Sequence, residues 1–505
     1  MTNRVPTASS SATTQSFLMP SQNPPDLRKI ADEAMERYGF QPTFPKSVIS
    51  EVNSLNEEIV PEERRFARDL SSLLWVSIDN HDTMDIDQIQ FCERGQDDEI
   101  QVKIAIADVD HLVEKGSATD RHAAKQGTSI YTGVVTYPML PIRLSEDITS
   151  LHPNNDKLAV VIEYTVLSDG SIRPGDIYPA IVHNKAKLVY EVVGEWLENK
   201  TAFPYEDLAI PTLREQLLLQ HEAAKKMKDE RARQGFLDLE TIEASPVMVE
   251  GTVTGLVIQQ ESPAHSLIEE FMISANRTLV ARLNERSYPM IQRIVKTPRN
   301  WEGIVEEAAS HHYRLPADPD VQALASFLIT QKKKDPESFP DLSLTIVKLM
   351  GPGEYVAIAP DQDSIGHFAL AVTDYTHGTA PNRRYVDIII QRLIKASIKR
   401  KGSPYGIDEL AMLAGHLSAT EKAAKKVERF MRKAAGAVLL MNRVGETFRG
   451  LVTGASEKGT YARIIDPPVE GRIVKNEDGL KVGQRVQVRL LNTDPEKGYI
   501  DFERI

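Results

Sequence analysis

The sequence predicts a multidomain α+β protein, in which a short helical segment precedes a mixed α/β domain and a small β-barrel ends the chain. Three observations support this fold class. A chain of 505 residues is too long for one ordinary core. Dense β-branched runs at 100–107 and 158–165 give way to helical periodicity from about Leu213. The C-terminal region consists of short strands punctuated by glycine.

The first 72 residues divide into a tail and a helical region. Residues 1–25 are rich in Ser, Thr and Pro and lack the apolar core of a secretory signal, so they predict a disordered tail. Residues 26–72 predict short helices, over 26–38, 45–55 and 62–73, separated by proline-containing turns. The sequence does not reveal what these helices contact.

Residues 73–440 form the predicted α/β domain. Its two β-branched runs have the composition of strands in a large sheet. One helix is predicted over Ser266–Leu283, where apolar residues recur at three- and four-residue steps and form a buried stripe. Another is predicted over Arg384–Lys399. The glycine-bounded strands of residues 443–505 predict a five-stranded barrel, with Phe448 and Tyr461 as candidates for base stacking.

Composition excludes several classes of protein. The chain has 41% apolar and 26% charged residues and no run long enough to span a membrane, so no membrane partner is expected. Its only cysteine, Cys92, is predicted to be a buried thiol, and a cytoplasmic location is expected. Cysteine-rich zinc sites are excluded by the same count.

Charge is unevenly distributed along the chain. The net charge is −12, which argues against indiscriminate coating of nucleic acid. Residues 383–401 nevertheless hold seven Lys or Arg and one acid, and residues 421–433 hold six and two. Each stretch is either a solvated helix face or part of a channel wall for a polyanion.

Four aspartates within nine residues are the strongest chemical signal. Asp79, Asp82, Asp85 and Asp87 follow the apolar run at 73–76. Clustered carboxylates repel one another unless a cation neutralises them, and Mg²⁺ suits such a turn because it keeps positions for phosphate and water. An acidic surface turn that binds nothing is the plain alternative. A calcium loop does not fit, because the positions for alternating ligands and the sixth-position glycine do not match. The segment therefore predicts the metal site of a nuclease.

Four blocks of sequence together resemble the RNB domain of the ribonuclease II and ribonuclease R family, and the C-terminal barrel resembles that family's S1-type OB-fold. The blocks, in order, are Asp79 with Asp85-Ile-Asp-Gln88; Gly127-Thr-Ser-Ile-Tyr131 with Pro138-Met-Leu-Pro141; Ile268-Glu-Glu-Phe-Met272 with Ala275-Asn276; and Tyr375 with Thr379-Ala-Pro-Asn-Arg-Arg-Tyr-Val-Asp387. The resemblance covers roughly residues 73–505.

The resemblance implies a function and roles for particular residues. The family hydrolyses single-stranded RNA from the 3′ end with Mg²⁺ and releases nucleoside 5′-monophosphates. By resemblance, Asp87 and Arg383 are catalytic, with Arg383 holding the scissile phosphate through its planar guanidinium. The implied metal ligands are Asp79, Asp85, Asp87 and Gln88. The implied RNA contacts are Tyr131, Glu428 and Arg384. Asp82 is a bystander.

Three departures from the family pattern qualify these expectations. Gln88 stands where the family has a fourth acid, so one metal position has an oxygen donor without charge. The family's Thr-Ser-Pro-Ile reads Thr379-Ala-Pro-Asn382 here, which removes a hydroxyl before the arginines. The 72 residues before the catalytic strand are too few and too helical for the usual two cold-shock barrels, so weaker RNA anchoring or another partner surface is expected.

Two alternatives to an exoribonuclease remain open at this point. Gln88 motivates a catalytically weak, RNA-binding relative that regulates RNA. A Mg²⁺-dependent phosphoesterase of small molecules would leave the barrel and the basic helices unexplained. RNA preference, processivity and oligomeric state are not encoded in any motif of the chain.

Overall fold

The fold is that of a computed structural model, which describes residues 25–505 except for short gaps at 57–58, 154, 200, 241–243, 250–251, 259–261, 337, 361, 363–365 and 457–458. The predicted tail at 1–25 therefore lies almost wholly outside the described residues. Among the residues described, no helix is both long enough and apolar enough to cross a membrane.

Three short helices begin the described chain. They are α1 (Leu27–Arg37), α2 (Lys46–Asn53) and α3 (Pro61–Phe66). Asp26 caps α1 by accepting hydrogen bonds from the backbone N–H groups of Arg28 and Lys29. The prediction that the third helix continues to residue 73 is wrong. The chain instead turns into a two-residue strand, β1 (Arg68–Asp69), which pairs in parallel with Ala180 and Ile181.

A six-stranded sheet forms the centre of the molecule. After β1 its members are β2 (Trp75–Asp79), β3 (Gln88–Arg94), β4 (Ile100–Ala107), β7 (Asp156–Val166) and β8 (Ile172–Val189), with a small hairpin of β5 (Ile130–Tyr131) and β6 (Thr136–Tyr137) inserted between β4 and β7. The strand order is β1-β8-β2-β3-β4-β7, and β7 also pairs with β8, so the hydrogen bonding closes a ring of five strands with β1 attached to β8. Cys92 on β3 is buried, as predicted.

Helices cover this sheet and complete its core. They are α4 (Ala118–Gln126), α5 (Tyr190–Asn199), α6 (Leu213–Gln234), α7 (Pro263–Glu285), α11 (Tyr385–Ile398) and α12 (Ile407–Leu440). The predicted helices at 266–283 and 384–399 correspond to α7 and α11. Apolar side chains of β2–β4, β7 and β8 share one cluster with those of α6, α7 and α11. Burial of this contiguous apolar surface is the main stabilisation of the fold.

A smaller helical cluster and two two-stranded sheets lie between α6 and α11 in sequence. They comprise β9 (Ala244–Val249), β10 (Thr252–Ile258), β11 (Met290–Ile294), α8 (Trp301–Ser310), α9 (Val321–Lys334), α10 (Phe339–Met350) and β12 (Glu354–Ile358). The three helices have their own apolar cluster, with Phe327, Phe339 and Ile346 fully or almost fully buried.

The last five strands close into a barrel, as the sequence predicts. They are β13 (Thr447–Ser456), β14 (Gly459–Ile464), β15 (Glu470–Lys475), β16 (Arg485–Asp494) and β17 (Tyr499–Arg504), in the order β13-β14-β15-β17-β16. Phe448 is buried in the barrel core, so the expectation that it stacks on bases is wrong. Tyr461 lies half-buried beneath the Lys433 ammonium.

The long helix α12 connects the barrel with the body of the protein. Its middle packs against α1 and the β5–β6 hairpin, with Val427 and Met431 buried. Its C-terminal end supplies Ala437 and Leu440 to the barrel core. The position of the barrel is therefore coupled to the body through one continuous helix. The domain division at residues 73, 440 and 443 stays a prediction.

Candidate active site

The acidic turn lies between β2 and β3, at the edge where the buried strand β2 ends. Asp79 is the last residue of β2, and its Oδ1 accepts hydrogen bonds from the Asn80 N–H at 2.8 Å and the Thr83 hydroxyl at 2.9 Å. The Lys187 ammonium donates to the carbonyls of His81 and Thr83. These bonds hold the turn in one conformation without using a second carboxylate.

Asp85 and Asp87 are held in place through the residue between them. Ile86 is fully buried in the central core, and its N–H donates to the Ser150 hydroxyl at 2.9 Å. Its carbonyl accepts from the Leu151 N–H at 3.0 Å. Because neighbouring side chains of an extended chain leave on opposite sides, anchoring Ile86 in the core directs both aspartates away from it.

The segment before α11 reaches Asp87 from the other side. The Asn382 N–H donates to Asp87 Oδ1 at 2.9 Å, and Arg383 Nε lies 3.6 Å from Asp87 Oδ2. Asp87 is almost completely buried, whereas the side chain of Arg383 is 48% exposed. Arg383 therefore neutralises a buried carboxylate while keeping much of its guanidinium open to a ligand.

Arg384 is oriented differently from Arg383. Its Nε and Nη2 donate to the two oxygens of Asp387, each at 2.8 Å, and Asp387 is completely buried. Asp387 Oδ1 also accepts from the Ala380 N–H at 2.8 Å. The pair closes the segment 380–387 into a compact turn in front of α11. The predicted RNA contact of Arg384 stays a prediction.

Strand β5 places Tyr131 beside Glu428 of α12. Both residues are among the predicted RNA contacts. The Tyr131 hydroxyl donates to Asp85 Oδ2 at 3.3 Å, and the Tyr131 N–H donates to Glu428 Oε1 at 3.3 Å. The Tyr131 side chain is 43% exposed, so a face of the ring is open. The Ser129 N–H donates to the Arg383 carbonyl at 2.9 Å, which ties this strand to the arginine segment.

Burial dominates the electrostatics of the acids. Burial raises the pKa of Asp85, the nearby Arg383 charge opposes the rise, and the Asp79 charge adds to it. Burial raises the pKa of Asp87 much further, again against the attraction of Arg383 and with repulsion from Asp85. Two adjacent carboxylates that are costly to ionise are stabilised in their ionised form by a cation.

The carboxylate oxygens at this place suit a hard divalent cation. No cluster of three or more His, Cys, Asp and Glu side chains arranged for metal binding occurs among the described residues. Mg²⁺ needs no such cluster, because one or two carboxylates with water and substrate phosphate complete its shell. Hard oxygen donors of this kind are the carboxylates of Asp79, Asp85 and Asp87. Those of Asp79 and Asp85 also interact electrostatically.

Two residues of the acidic segment stand apart from the others. Gln88, the first residue of β3, is 8% exposed, and its amide makes no side-chain hydrogen bond to any residue that the structure describes. Asp82 is exposed on the turn, in keeping with its expected role as a bystander.

Three residues near the acids, Glu146, Tyr190 and His265, belong to none of the motifs found in the sequence. Glu146, whose pKa is raised by burial and by the Asp85 charge, reaches the site from the segment after β6. Tyr190, at the start of α5, interacts with the charges of Asp79 and Arg383 and stacks on His265 with ring centroids 4.1 Å apart. None of them lies in a motif, and only the folded chain brings them together.

Comparison with known proteins gives two family matches. Residues 67–400 match the RNB domain, and residues 446–505 match the RNase II-type exonuclease C-terminal S1 domain. The two matches follow one another in the order expected from the motifs and cover most of the described chain.

Similar proteins share nearly the whole length of the chain. Ribonuclease R of Thermotoga maritima is 30% identical over 91% of this chain and 68% of its own length. Ribonuclease R of Aquifex aeolicus is 28% identical over 96% and 71%. The structure of Mycoplasma genitalium RNase R in complex with ribose methylated single-stranded RNA superposes with a TM-score of 0.85 at 23% identity, over 95% of this chain and 78% of that one.

Proposed function

The chain belongs to the RNB family of 3′-to-5′ exoribonucleases, and on that premise we propose that it hydrolyses single-stranded RNA with Mg²⁺ and releases nucleoside 5′-monophosphates. The metal identity, the form of the RNA and the product are the proposed parts. They are supported by the arrangement of this chain's own residues.

One observation carries the proposal. Four segments far apart in sequence supply interacting groups to one place: the acidic turn, β5, the segment before α11, and α12. Tyr131 contacts both Asp85 and Glu428, and Arg383 lies beside Asp87. An acidic surface turn that binds nothing would have no reason to gather a guanidinium and a partly exposed aromatic residue around one buried and one partly buried carboxylate.

Each group has a task that its geometry supports. The open face of Tyr131 stacks on the base at the 3′ end, and the neighbouring Glu428 accepts a hydrogen bond from the terminal ribose. The exposed part of the Arg383 guanidinium donates to the scissile phosphate and stabilises the charge that develops on it. Asp79, Asp85 and Asp87 supply the negative charge for the cation, and one or two of them would ligate it directly; when bound, it would lower the pKa of a water molecule and polarise the phosphate.

Arg384 and Asn382 act by positioning in this proposal. The Arg384–Asp387 pair and the bond from Asn382 N–H to Asp87 set the distance between the arginine segment and the acids. An error of about 1 Å in this distance would cost roughly 10²-fold in rate. These residues therefore affect turnover without contacting the reacting phosphate.

The proposal is tested by degradation of 5′-labelled single-stranded RNA with Mg²⁺. Wild type should produce a ladder that shortens from the 3′ end and release nucleoside 5′-monophosphates. Arg383→Ala should lower turnover by about 10²–10³-fold, as expected for loss of a transition-state donor. Asp87→Asn should abolish the ladder, and chelation of the metal should do the same.

Asp82→Asn is the matched control, because it removes a carboxylate from the same turn at an exposed position. It should leave the rate within about twofold of wild type. An equal loss in Asp82→Asn and Asp87→Asn would contradict the proposed site. Release of products other than 5′-monophosphates would contradict the proposed reaction.

Gln88 supports a second candidate function, that of a catalytically weak relative that binds and regulates RNA. The residue contributes no negative charge beside two carboxylates that need a cation. Tight RNA binding without shortening, at any concentration of Mg²⁺ or Mn²⁺, would support this candidate over the first.

A further inference from the structure

A small cavity lies away from the acidic turn, where the turn between β7 and β8 meets α6 and α7. Its volume is about 110 Å³, and the residues that line it include Gly170, Ser171, Arg231, Ser274 and Arg277. None of the proposed active-site residues lines it. Gly170 has a φ of +87°, and a side chain there would collide with the Lys226 carbonyl, so the turn sits directly on α6.

The guanidinium of Arg231 is buried and only partly paired. Arg231 is 4% exposed, and its Nη1 donates to Glu270 Oε1 at 2.8 Å. Its carbon Cζ lies 3.8 Å from the ring centroid of Phe236. Both Nε and Nη2 are buried without a hydrogen-bond partner. Because an unsatisfied charged donor is costly, two such donors on a residue that lines the cavity indicate a missing acceptor.

A second guanidinium faces the same cavity. Arg277 is partly buried on α7, and the structure gives its side chain no hydrogen bond or ion pair with any described residue. Burial lowers the pKa of Arg277, the Arg231 charge lowers it further, and Asp374 partly offsets the two. Two like charges thus face one small space, which is unfavourable unless an anion lies between them.

The nearby carboxylates do not supply that anion. Glu230 lines the cavity, but its Oε2 accepts from Arg233 Nε and its Oε1 from Gln234 Nε2. Glu270 accepts from Arg231 through Oε1 while its Oε2 is buried without a hydrogen-bond partner, and Glu269 lies 3.8 Å from Arg231 and is about half exposed. The Ser171 hydroxyl donates to Asp169. The free donors of the cavity are therefore guanidinium N–H groups.

We propose that this cavity binds one tetrahedral oxyanion, a phosphate group, between the guanidinium groups of Arg231 and Arg277. Planar guanidinium forks bind phosphate oxygens through pairs of parallel hydrogen bonds. A volume of about 110 Å³ is well below the roughly 300 Å³ of small-molecule sites. The cavity thus accommodates a phosphate group and leaves a nucleoside outside.

The test is calorimetric titration of the metal-free full-length protein with inorganic phosphate, in EDTA and at constant ionic strength set with the bulky anion gluconate. The protein carries Arg383→Ala, so that the proposed active site cannot account for the signal. A saturable binding event with a stoichiometry of one is expected. Arg277→Gln should weaken it by about tenfold or more, and Arg277→Lys by less, because a lysine keeps the charge but lacks the planar fork.

Arg286→Gln is the matched control, since it removes the same charge from the end of the same helix outside the cavity. Its affinity for phosphate should equal that of the parent. Equal weakening in Arg277→Gln and Arg286→Gln, or no saturable binding, would overturn the proposal. Because these measurements involve no RNA or metal, failure of the exoribonuclease proposal would leave their outcome unchanged.

Two further titrants distinguish the sources of the phosphate group. A nucleoside 5′-monophosphate that binds as tightly as inorganic phosphate, with the same loss in Arg277→Gln, would assign the site to a terminal phosphate. Binding of inorganic phosphate alone would assign it to the free ion. Equal binding of chloride would contradict a tetrahedral site.

Discussion

Replacing Asp387 by Asn tests whether a buried ion pair positions the arginine segment of the site. Asp387 lies in the first turn of α11 and is completely buried. Its Oδ1 accepts from the Ala380 N–H and Arg384 Nη2, and its Oδ2 accepts from Arg384 Nε, all at 2.8 Å. Asparagine has the same shape but only one oxygen, so its NH₂ group must face a donor in either orientation.

The size of the effect follows from these three bonds. At least one charge-assisted bond is replaced by a donor–donor contact, and the Arg384 side chain, which is 26% exposed, loses its counterion. Charge-assisted bonds contribute about 1.5–3 kcal/mol each, and removing one partner of a buried pair costs about 3–5 kcal/mol. Because Arg384 keeps some contact with water, we expect a loss of about 3 kcal/mol. The displaced Arg383 and Asn382 should lower turnover by roughly 10²-fold.

The assay combines urea unfolding with single-turnover RNA degradation. Asp408→Asn is the matched control, because Asp408 also lies in the first turn of a long helix but is exposed. It should change stability by less than about 0.5 kcal/mol and leave turnover unchanged. If Asp387→Asn behaves like Asp408→Asn in both measurements, the pair does not position the site and the reasoning is refuted.

Three other substitutions give distinct outcomes. Gln88→Asp should raise activity and lower the Mg²⁺ concentration for half-maximal rate by about tenfold, because it adds negative charge beside Asp85 and Asp87; an unchanged Mg²⁺ titration would contradict this. Asn382→Leu should change the free energy of unfolding by less than about 1 kcal/mol. The hydrogen bond that is lost, from the Thr149 hydroxyl at 2.6 Å, is offset by removal of the unpaired Nδ2 of Asn382. A loss above about 2 kcal/mol would contradict this reasoning. Burial raises the pKa of Glu270 from 4.5 to about 7, so the folded state binds the proton more tightly and the free energy of unfolding falls as pH rises between these values. Urea unfolding at about pH 5 and pH 8 measures this fall in the free energy of unfolding, and Glu270→Gln should remove up to about 3 kcal/mol of it. Equal pH dependence in Glu270→Gln and wild type would contradict the raised pKa of Glu270.

Local pattern was sufficient for the regular elements whose periodicity is strong. The strand predicted at 100–107 coincides with β4, and the helix predicted at 266–283 lies within α7. The five barrel strands were also predicted, because glycines mark their ends. In these segments the period of the apolar residues and the burial in the fold agree.

Local pattern failed where a distant partner decides the conformation. The third helix ends at Phe66 because Arg68 and Asp69 pair with residues on β8, over a hundred positions later. The basic stretch at 383–401 is another case. Arg392 pairs with Asp110 and Asp120, and Lys395 with Asp108 and Asp110, so the buried Arg392 and the partly buried Lys395 are structural cations. For these two residues the interpretation as a channel wall is wrong.

The sequence by itself determined the chemistry available to this protein: carboxylates for a cation, arginines for phosphate, an aromatic residue and a barrel. Residue type and spacing carry that information because they set charge and donor geometry. Only the tertiary structure decided which groups meet. It turned Arg383 toward Asp87 but Arg384 toward Asp387, and it left Arg231 and Arg277 facing a cavity. The physical reason is that burial and partner choice depend on how distant segments pack together, as Arg383 and Asp87 do across almost three hundred positions, and no local pattern records that packing.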